Sequence, residues 1–192
     1  MKSIILNGSP FRNSHTGRLI DEFSKNLNSE IEVINSYKLN ISPCIDCKQC
    51  FKKPGCSIKD DMTSVYEKIE ESDALIIATP MHFGIVSAPL FTLFSRLQSY
   101  WAYKHGFRDI PDNIRKKYGA LLVTTGGKWV NMESLVESVA DFAFDHTNTK
   151  SIGSVFAYQT DSHPVAENEE ALSQARYLSS VLDDLMHGDY GF

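Results

Sequence analysis

The regular alternation of short apolar runs with longer amphipathic stretches is the feature that most constrains how this chain folds. Five runs are short, apolar and rich in β-branched residues, which is typical of strands buried on both faces of a parallel sheet. These predicted strands cover residues 2–6, 31–34, 74–79, 120–125 and 154–158.

Helical periodicity fills the gaps between the runs, because apolar residues recur there three and four positions apart. Five strands alternating with five helices predict an α/β fold, with a doubly wound five-stranded parallel sheet in three layers, α/β/α. The five predicted stripes are Leu19, Ile20, Phe23 and Leu27; Met62, Val65, Tyr66 and Ile69; Leu90, Leu93, Phe94, Leu97 and Trp101; Leu135, Val139, Phe142 and Ala143; and Leu172, Ala175, Leu178, Leu182 and Leu185.

Length and charge narrow the classes of function. A chain of 192 residues suits one domain over residues 1–192, and a net charge of −5 provides no basic face for nucleic acid. No run approaches the roughly 18 apolar residues of a membrane span, and the start of the chain lacks a signal-peptide pattern. We therefore expect a cytoplasmic protein without a membrane or nucleic-acid partner. In that reducing compartment its four cysteines favour metal or redox chemistry over structural disulfides.

In such folds ligands bind at the carboxyl ends of the strands, where the strand order reverses. The loop after the first strand, residues 8–16, has several polar donors and leads into a predicted helix. A helix N-terminus offers free N–H groups and partial positive charge, so this loop is a candidate phosphate site. The alternative is a turn in which Ser and Asn side chains only cap the helix. The spacing fits neither a P-loop nor a GxGxxG motif.

Two more loops at this edge have unusual sequences. After the third strand, Pro80 and Gly84 bracket an aromatic pair, a rigid turn that can lie against a flat ring. The alternative is a well-packed turn with a buried Phe83. After the fourth strand, Gly126 and Gly127 allow the backbone to approach a ligand closely.

These loops resemble the NADPH-dependent FMN reductase family, a flavodoxin-like group that includes the iron–sulfur flavoproteins. Gly8, Ser9, Pro10, Asn13 and Thr16 match the family's Gly-Ser-Pro-Arg-x-Asn-Gly-Asn-Thr signature, and the other two loops resemble its Ser-Pro-x-Tyr-Phe-Gly-x-x-Ser-Ala and Thr/Ser-Gly-Gly segments. The resemblance implies a flavodoxin-like domain that binds FMN. It assigns the cofactor to Ser9, Pro10, Phe11, Arg12, Asn13, Ser14, Thr16, Pro80, Met81, His82, Phe83, Gly84, Thr125, Gly126 and Gly127.

Several positions depart from the family pattern. Phe11 replaces the signature Arg, and Arg12 beside it is a candidate substitute for that phosphate contact. Ser14 and His15 also differ from the signature. His82 replaces the usual Tyr of the second loop, which changes the polar contact available there.

A cysteine-containing insert occupies about residues 40–60. Cys44, Cys47, Cys50 and Cys56 have the spacing C-x2-C-x2-C-x5-C, which can wrap a cubane cluster within one loop. Zinc fits less well, because structural zinc sites usually pair two separated knuckles. The insert resembles that of iron–sulfur flavoproteins, which carry a [4Fe–4S] cluster beside FMN. The alternative is a set of free or partly paired thiols.

The leading hypothesis is an FMN-dependent oxidoreductase that takes electrons from NAD(P)H and passes them to a small-molecule or redox-protein acceptor. A second is an electron carrier with FMN and a [4Fe–4S] cluster, and a third is a non-catalytic flavin-binding protein. The flavin supplies the chemistry, so no side chain is predicted to be catalytic. The resemblance implies a homodimer or homotetramer.

Two further predictions concern single elements. Asp60 and Asp61 precede the second helical stripe, where acids stabilise a helix N-terminus, so capping is favoured over carboxylate catalysis. Tyr100, Trp101, Tyr103 and Phe107 end the third stripe and open a polar loop at residues 103–117. These rings are predicted to form an oligomer contact or to roof the cleft.

Overall fold

One parallel sheet organises the computed structural model, which describes residues 1–106 and 114–188. The five strands lie in the order β2-β1-β3-β4-β5, and every neighbouring pair is parallel. This order confirms the predicted doubly wound, flavodoxin-like fold. The strands are β1 (Lys2–Asn7), β2 (Glu30–Asn35), β3 (Ala74–Pro80), β4 (Lys117–Thr124) and β5 (Thr149–Ala157).

Helices cover both faces of the sheet. The buried residues of α2, α3 and α5 pack in one core, and those of α1 and α6 pack in the other. Among the described residues, no helix has the length and apolar character needed to cross a membrane. The helices are α1 (His15–Ser24), α2 (Met62–Glu71), α3 (Ala88–Arg96), α4 (Gln98–Gly106), α5 (Met132–His146) and α6 (Glu169–His187).

The central strand β1 shows how the sequence produces the two layers. Ile4 and Leu6 point into the core beneath α2, α3 and α5, while Ile5 between them points into the other core. This is the two-residue alternation of a strand, and all three side chains are buried because both faces are covered. β1 lies between β2 and β3, so the chain reverses direction across the sheet there and opens a crevice at the carboxyl edge.

The last two strands begin earlier than predicted. β4 starts at Lys117 rather than residue 120, and β5 starts at Thr149 rather than residue 154. β5 is an edge strand, and its first half is mostly polar and mostly exposed or half-exposed. That half therefore lacks the continuous apolar run of a central strand.

The predicted third helix is wrong in one respect, because it is two helices that meet at Leu97. The apolar spacing continues through the break, but the backbone hydrogen bonds do not. The carbonyl of Arg96 accepts hydrogen bonds from the Tyr66 hydroxyl (2.6 Å) and the Ser99 hydroxyl (3.2 Å). In a regular α-helix the amide of Tyr100 would donate to the carbonyl of Arg96. Here it donates to the carbonyl of Leu97. The side chains around Arg96 therefore interrupt the helix.

The buried stripe of α5 also differs from the prediction. Leu135 and Phe142 are exposed, whereas Met132, Val136, Ala140, Ala143 and Phe144 are buried. Two interleaved apolar stripes run along this helix. The stripe containing two alanines faces the sheet, and small side chains allow close packing there.

The predicted polar loop at residues 103–117 is shorter than expected. Tyr103 lies in α4 and Lys117 begins β4. Phe107 and Pro111 lie outside the described residues.

Candidate functional site

The loop after β1 is fixed by hydrogen bonds to neighbouring strands. Ser9 is buried, and its amide donates to the side-chain oxygen of Asn7 (2.8 Å). The side-chain amide of Asn35, at the end of β2, donates to the Ser9 carbonyl (2.9 Å). The Ser9 hydroxyl donates to Ser14 Oγ (2.9 Å). The amide and hydroxyl of Ser9 therefore donate within the chain, and these hydrogen bonds shape the loop. The predicted contact of Ser9 with the cofactor stays a prediction.

Ser14 is the N-cap of α1 and is half-buried. Its Oγ accepts hydrogen bonds from the Ser9 hydroxyl and from the amide of Gly17 (3.0 Å). Because Ser14 Oγ accepts both bonds, its own proton remains available to a ligand. Capping and ligand binding are thus compatible in this loop, although the sequence presented them as alternatives.

Backbone amides supply the other donors of the phosphate loop. Among the hydrogen bonds of the described residues, none takes the N–H of Asn13, His15 or Thr16. The first turn of α1 contains no acidic residue. Arg12 and Asn13 are exposed beside these amides, as is Phe11. Free amides at a helix N-terminus, a hydroxyl donor and a nearby cation fit a phosphate group well.

Thr16 connects the first loop to β4. It is buried, and its Oγ1 lies 2.8 Å from Oγ1 of Thr124. The carbonyl of the same Thr124 accepts a hydrogen bond from the amide of Met81 (2.8 Å). The ends of β1, β3 and β4 are therefore joined at one residue, which places the three predicted loops together.

The loop after β3 is a tight turn that presents an aromatic side chain to solvent. His82 and Ile85 exchange backbone hydrogen bonds of 2.9 and 3.1 Å. Phe83 (φ 52°) and Gly84 (φ 80°) between them have left-handed backbones. A left-handed conformation is costly for phenylalanine, and such strain clusters at functional sites. The Phe83 side chain is fully exposed, so the alternative of a buried Phe83 is wrong.

At the two glycines after β4, an added side chain would displace a neighbouring side chain. A Cβ atom at Gly126 would be 2.3 Å from Oδ2 of Asp161, and one at Gly127 would be 2.5 Å from the Trp129 ring. The amide of Thr125 donates to the carbonyl of Ala157 (2.9 Å), which fixes the start of the loop against β5.

The loops after β3 and β4 border one cleft of about 640 Å³. Its wall is largely apolar, and a single carboxylate, that of Asp161, lies in it. Of the predicted residues, Met81, Phe83, Gly84, Thr125, Gly126 and Gly127 line this cleft, together with Trp129, Val130, Met132, Leu135 and Asp161.

The sequence prediction missed the last five of these residues. Trp129 and Val130 directly follow the glycine pair, and both are more than half exposed. Asp161 follows β5, so the rule that ligands bind at the carboxyl ends of strands also points to it. His15 was missed as well. Its Nδ1 accepts the amide of Val165 at 3.4 Å, which couples the phosphate loop to the segment after β5.

The cysteine insert rests on the ends of α3 and α4. The amide of Cys44 donates to the Ser95 hydroxyl (3.0 Å) on the last turn of α3. The Phe51 ring lies edge-on to Trp101 of α4, with centroids 5.8 Å apart. Asp46 and Lys48 have left-handed backbones and form an ion pair of 2.5 Å. The insert is therefore anchored by its first cysteine and by its middle turn.

The four predicted ligands, Cys44, Cys47, Cys50 and Cys56, line one narrow cavity as free thiols. Within the described ranges, no group of three or more His, Cys, Asp or Glu side chains has the geometry to hold a metal ion. A hydrogen bond with Ser57 (3.4 Å) lowers the pKa of Cys47. Burial raises the pKa of Cys50.

The aspartate pair has another role besides capping. Asp60 Oδ1 accepts the amide of Met62 (3.1 Å), as the prediction requires, but Oδ2 pairs with buried Arg96 at 2.7 Å. Burial opposes the charge on Asp60, yet these hydrogen bonds keep its pKa below the usual value. Asp61 makes no capping hydrogen bond and accepts instead from the amide of Asn40 (2.7 Å).

Two rings of the predicted aromatic cluster, those of Tyr100 and Trp101, have partners within the chain. Tyr100 is buried and donates to Glu70 Oε1 (3.1 Å), while Trp101 stacks on His105 with centroids 4.4 Å apart. The predicted homodimer or homotetramer stays a prediction.

Comparison with known proteins places the chain in a family. Residues 1–161 match the NADPH-dependent FMN reductase family. An iron–sulfur flavoprotein of Methanocaldococcus jannaschii is 28% identical over 150 residues, which cover 77% of this chain and 74% of the relative. One from Archaeoglobus fulgidus is 36% identical over 128 residues, 66% of this chain and 60% of the relative.

A solved structure shares the fold over the whole chain. The NAD(P)H:quinone oxidoreductase from Methanothermobacter marburgensis superimposes with a TM-score of 0.70 at 18% identity, covering 100% of this chain and 99% of the other. At that identity the likeness concerns the fold alone. The family match rests on the sequence, and it agrees with the sheet order and with the three loops joined at Thr124. The chain therefore belongs to the NADPH-dependent FMN reductase family, a family of flavin oxidoreductases.

Proposed function

We propose that this protein binds FMN across the carboxyl edge of its sheet and uses it to transfer electrons from NAD(P)H to an acceptor. One observation carries the proposal: Thr124 joins the loops after β1, β3 and β4 through its hydroxyl and carbonyl. A phosphate site and an apolar cleft are thereby held in fixed relation, as a molecule with one phosphate and one flat ring system requires.

The residues divide the binding work between the two ends of FMN. The phosphate takes the hydroxyl of Ser14 and the free amides of Asn13, His15 and Thr16, with Arg12 as the nearby cation. The isoalloxazine ring occupies the cleft beside Gly126 and Gly127, where the absence of side chains allows close approach to backbone N–H groups. Bound flavin supplies hydride and electron transfer, and the chain supplies position, electrostatics and access.

The exposed side chains around the cleft support a flat, apolar small-molecule acceptor. Phe83, Trp129 and Val130 line the same cleft, and each has a large exposed apolar surface. Exposed apolar groups gathered at one cleft are typical of ligand contact. A redox protein as acceptor would meet the same surface from outside.

The test is reconstitution of the purified protein with FMN, followed by the oxidation of NADH and of NADPH with a quinone as probe acceptor. We expect stoichiometric FMN binding and acceptor-dependent oxidation of one or both nucleotides. Binding of FMN without turnover would support a non-catalytic flavin-binding protein. No FMN binding after reconstitution would refute the proposal.

The cysteine cavity favours a second candidate function, that of an electron carrier with FMN and a [4Fe–4S] cluster. The supporting observation is that four thiols from one insert line one cavity. Four cysteine thiolates are the usual donor set for such a cluster, so the chemistry of the residues fits. Ligation requires the thiols to draw closer together than they lie in the described structure.

Iron content separates the two functions. Anaerobic purification followed by iron and acid-labile sulfide assays should give four irons per chain if the carrier proposal is right. If the protein contains flavin but no iron, both after anaerobic purification and after iron reconstitution, the electron-carrier proposal is refuted and the reductase proposal stands.

A further inference from the structure

Arg96 is the most deeply buried charged side chain near the insert, with no exposed side-chain surface. Its Nη1 donates to the carbonyl of Ser42 (2.8 Å) and to Asp60 Oδ2 (2.7 Å). Its Nη2 donates to the carbonyl of Ile58 (3.1 Å). Ser42 lies two residues before the first cysteine, and Ile58 lies two residues after the last. One guanidinium therefore ties together both ends of the insert.

The Nε atom of Arg96 is buried and, unlike Nη1 and Nη2, has no hydrogen-bond partner within the described structure. Arg96 also lines the cavity that the four cysteines line. An unsatisfied buried N–H typically costs about 1–3 kcal/mol, so a native protein that keeps one calls for an explanation, and a ligand in the adjoining cavity is one.

We propose that Arg96 is the positioning residue of the cysteine site, which closes the insert with its two Nη groups and donates its Nε–H to a sulfur atom in the cavity. The proposal rests on the [4Fe–4S] cluster proposed above for the same four cysteines. The Nη groups hold the two ends of the insert together, which fixes the chain before the first cysteine and after the last. The Nε–H adds a hydrogen bond from a residue that is not itself a ligand.

Electrostatics favour a cation at this position. The single negative charge of Asp60 balances the charge of Arg96. Four thiolates would bring further negative charge to the cavity. Lys48, which lies between Cys47 and Cys50 in the sequence, is already paired with Asp46. Hydrogen bonds and positive charge near the sulfurs stabilise the more negative, reduced form of a cluster and thus raise its reduction potential. Arg96 is placed to do both.

The experiment uses the full chain, purified anaerobically with FMN, as wild type, Arg96→Lys, Arg96→Gln and the double variant Arg96→Gln with Asp60→Asn. The double variant avoids leaving a carboxylate without its partner. Arg176→Gln is the matched control, since Arg176 also pairs with a buried carboxylate, that of Glu22 (2.7 Å), away from the insert. FMN content and circular dichroism report on folding.

Three measurements are made on each protein: iron and sulfide content, the reduction potential of the cluster, and hydrogen exchange of residues 43–59. Loss of an outer-shell partner typically weakens metal affinity by about 10- to 100-fold, so all Arg96 variants should lose most of their iron under a chelator that leaves wild type loaded. In variants that still hold a cluster, its reduction potential should be lower than in wild type. The potential should be lowest in the variants that have no positive charge at position 96. Residues 43–59 should exchange faster, and the control should match wild type.

Two outcomes separate this proposal from the one on which it rests. In the first outcome, wild type contains iron, and the Arg96 variants match it in iron retention, reduction potential and hydrogen exchange. This outcome would overturn the role of Arg96, while the cluster proposal would stand. Wild type without iron would overturn the cluster and the Nε–H hydrogen bond to it. Hydrogen exchange would then still test whether Arg96 holds the two ends of the insert together. Unchanged exchange of residues 43–59 in a folded Arg96→Gln variant would refute that role.

Discussion

Replacing the buried Lys117 with methionine should stabilise this protein at neutral pH. The lysine is 1% exposed, and its ammonium donates to the carbonyl of Ile69 at 2.6 Å. Burial lowers its pKa from 10.5 to about 8, although Asp73 and Glu70 partly oppose this effect and Arg115 adds to it. The folded chain thus holds this proton less tightly than the unfolded chain does.

The size of the effect follows from that difference in pKa. At about 1.4 kcal/mol per pKa unit, keeping Lys117 charged in the fold costs about 3 kcal/mol at pH 7. Between pH 8 and 10.5 the unfolded chain binds more protons, so stability rises with pH there, and the whole penalty is present below pH 8. Methionine has a similar length, and the Ile69 carbonyl keeps hydrogen bonds from the Ser72 amide and hydroxyl. The expected gain is therefore up to about 3 kcal/mol.

Urea unfolding of the apo protein at about pH 7 and pH 10 tests this expectation. The Lys117→Met variant should be more stable than wild type at pH 7, and the difference should shrink at pH 10. Lys116→Met is the control, because Lys116 is the exposed neighbour and its replacement should change little. A less stable Lys117→Met variant at pH 7, or a difference independent of pH, would refute the reasoning.

The other predictions concern the flavin site. Gly127→Ala places a methyl group 2.5 Å from the Trp129 ring, so displacement of the ring should weaken FMN binding about tenfold, measured by quenching of flavin fluorescence. Thr16→Val removes the hydroxyl paired with Thr124 and should cost about 1–3 kcal/mol of FMN affinity; equal affinity would contradict a role for this pair. Phe83→Gly relieves a left-handed backbone and should stabilise the fold by about 1 kcal/mol while raising KM for the acceptor. An unchanged KM would remove Phe83 from acceptor binding.

The sequence predicted the sheet because central strands have an unambiguous signal. Ile4, Ile5 and Leu6 are apolar on both faces, and only a strand covered on both sides buries such a run. The phosphate loop was predictable for a similar reason, since a polar segment between a buried strand and a helix lies at the ligand-binding edge whatever the remaining packing.

Other features depend on interactions between distant residues, which the sequence pattern does not show. The break at Leu97 depends on the Tyr66 hydroxyl, which reaches the Arg96 carbonyl from another helix. The pairing of Asp60 with Arg96 joins residues 36 positions apart. Both require knowledge of which elements pack together, and local periodicity does not provide it.

Helix α3 accounts for the relation between the two proposed sites. It begins at Ala88, directly after the loop that carries Phe83, and ends at Arg96 beneath the cysteines. Nine helical residues span about 13 Å, so both sites are anchored to one short rigid element. The cleft and the cysteine cavity nevertheless share no lining residue. Changes at Arg96 should therefore alter iron retention without altering FMN content, and this separation is what allows the flavin and the cluster to be tested independently in one chain.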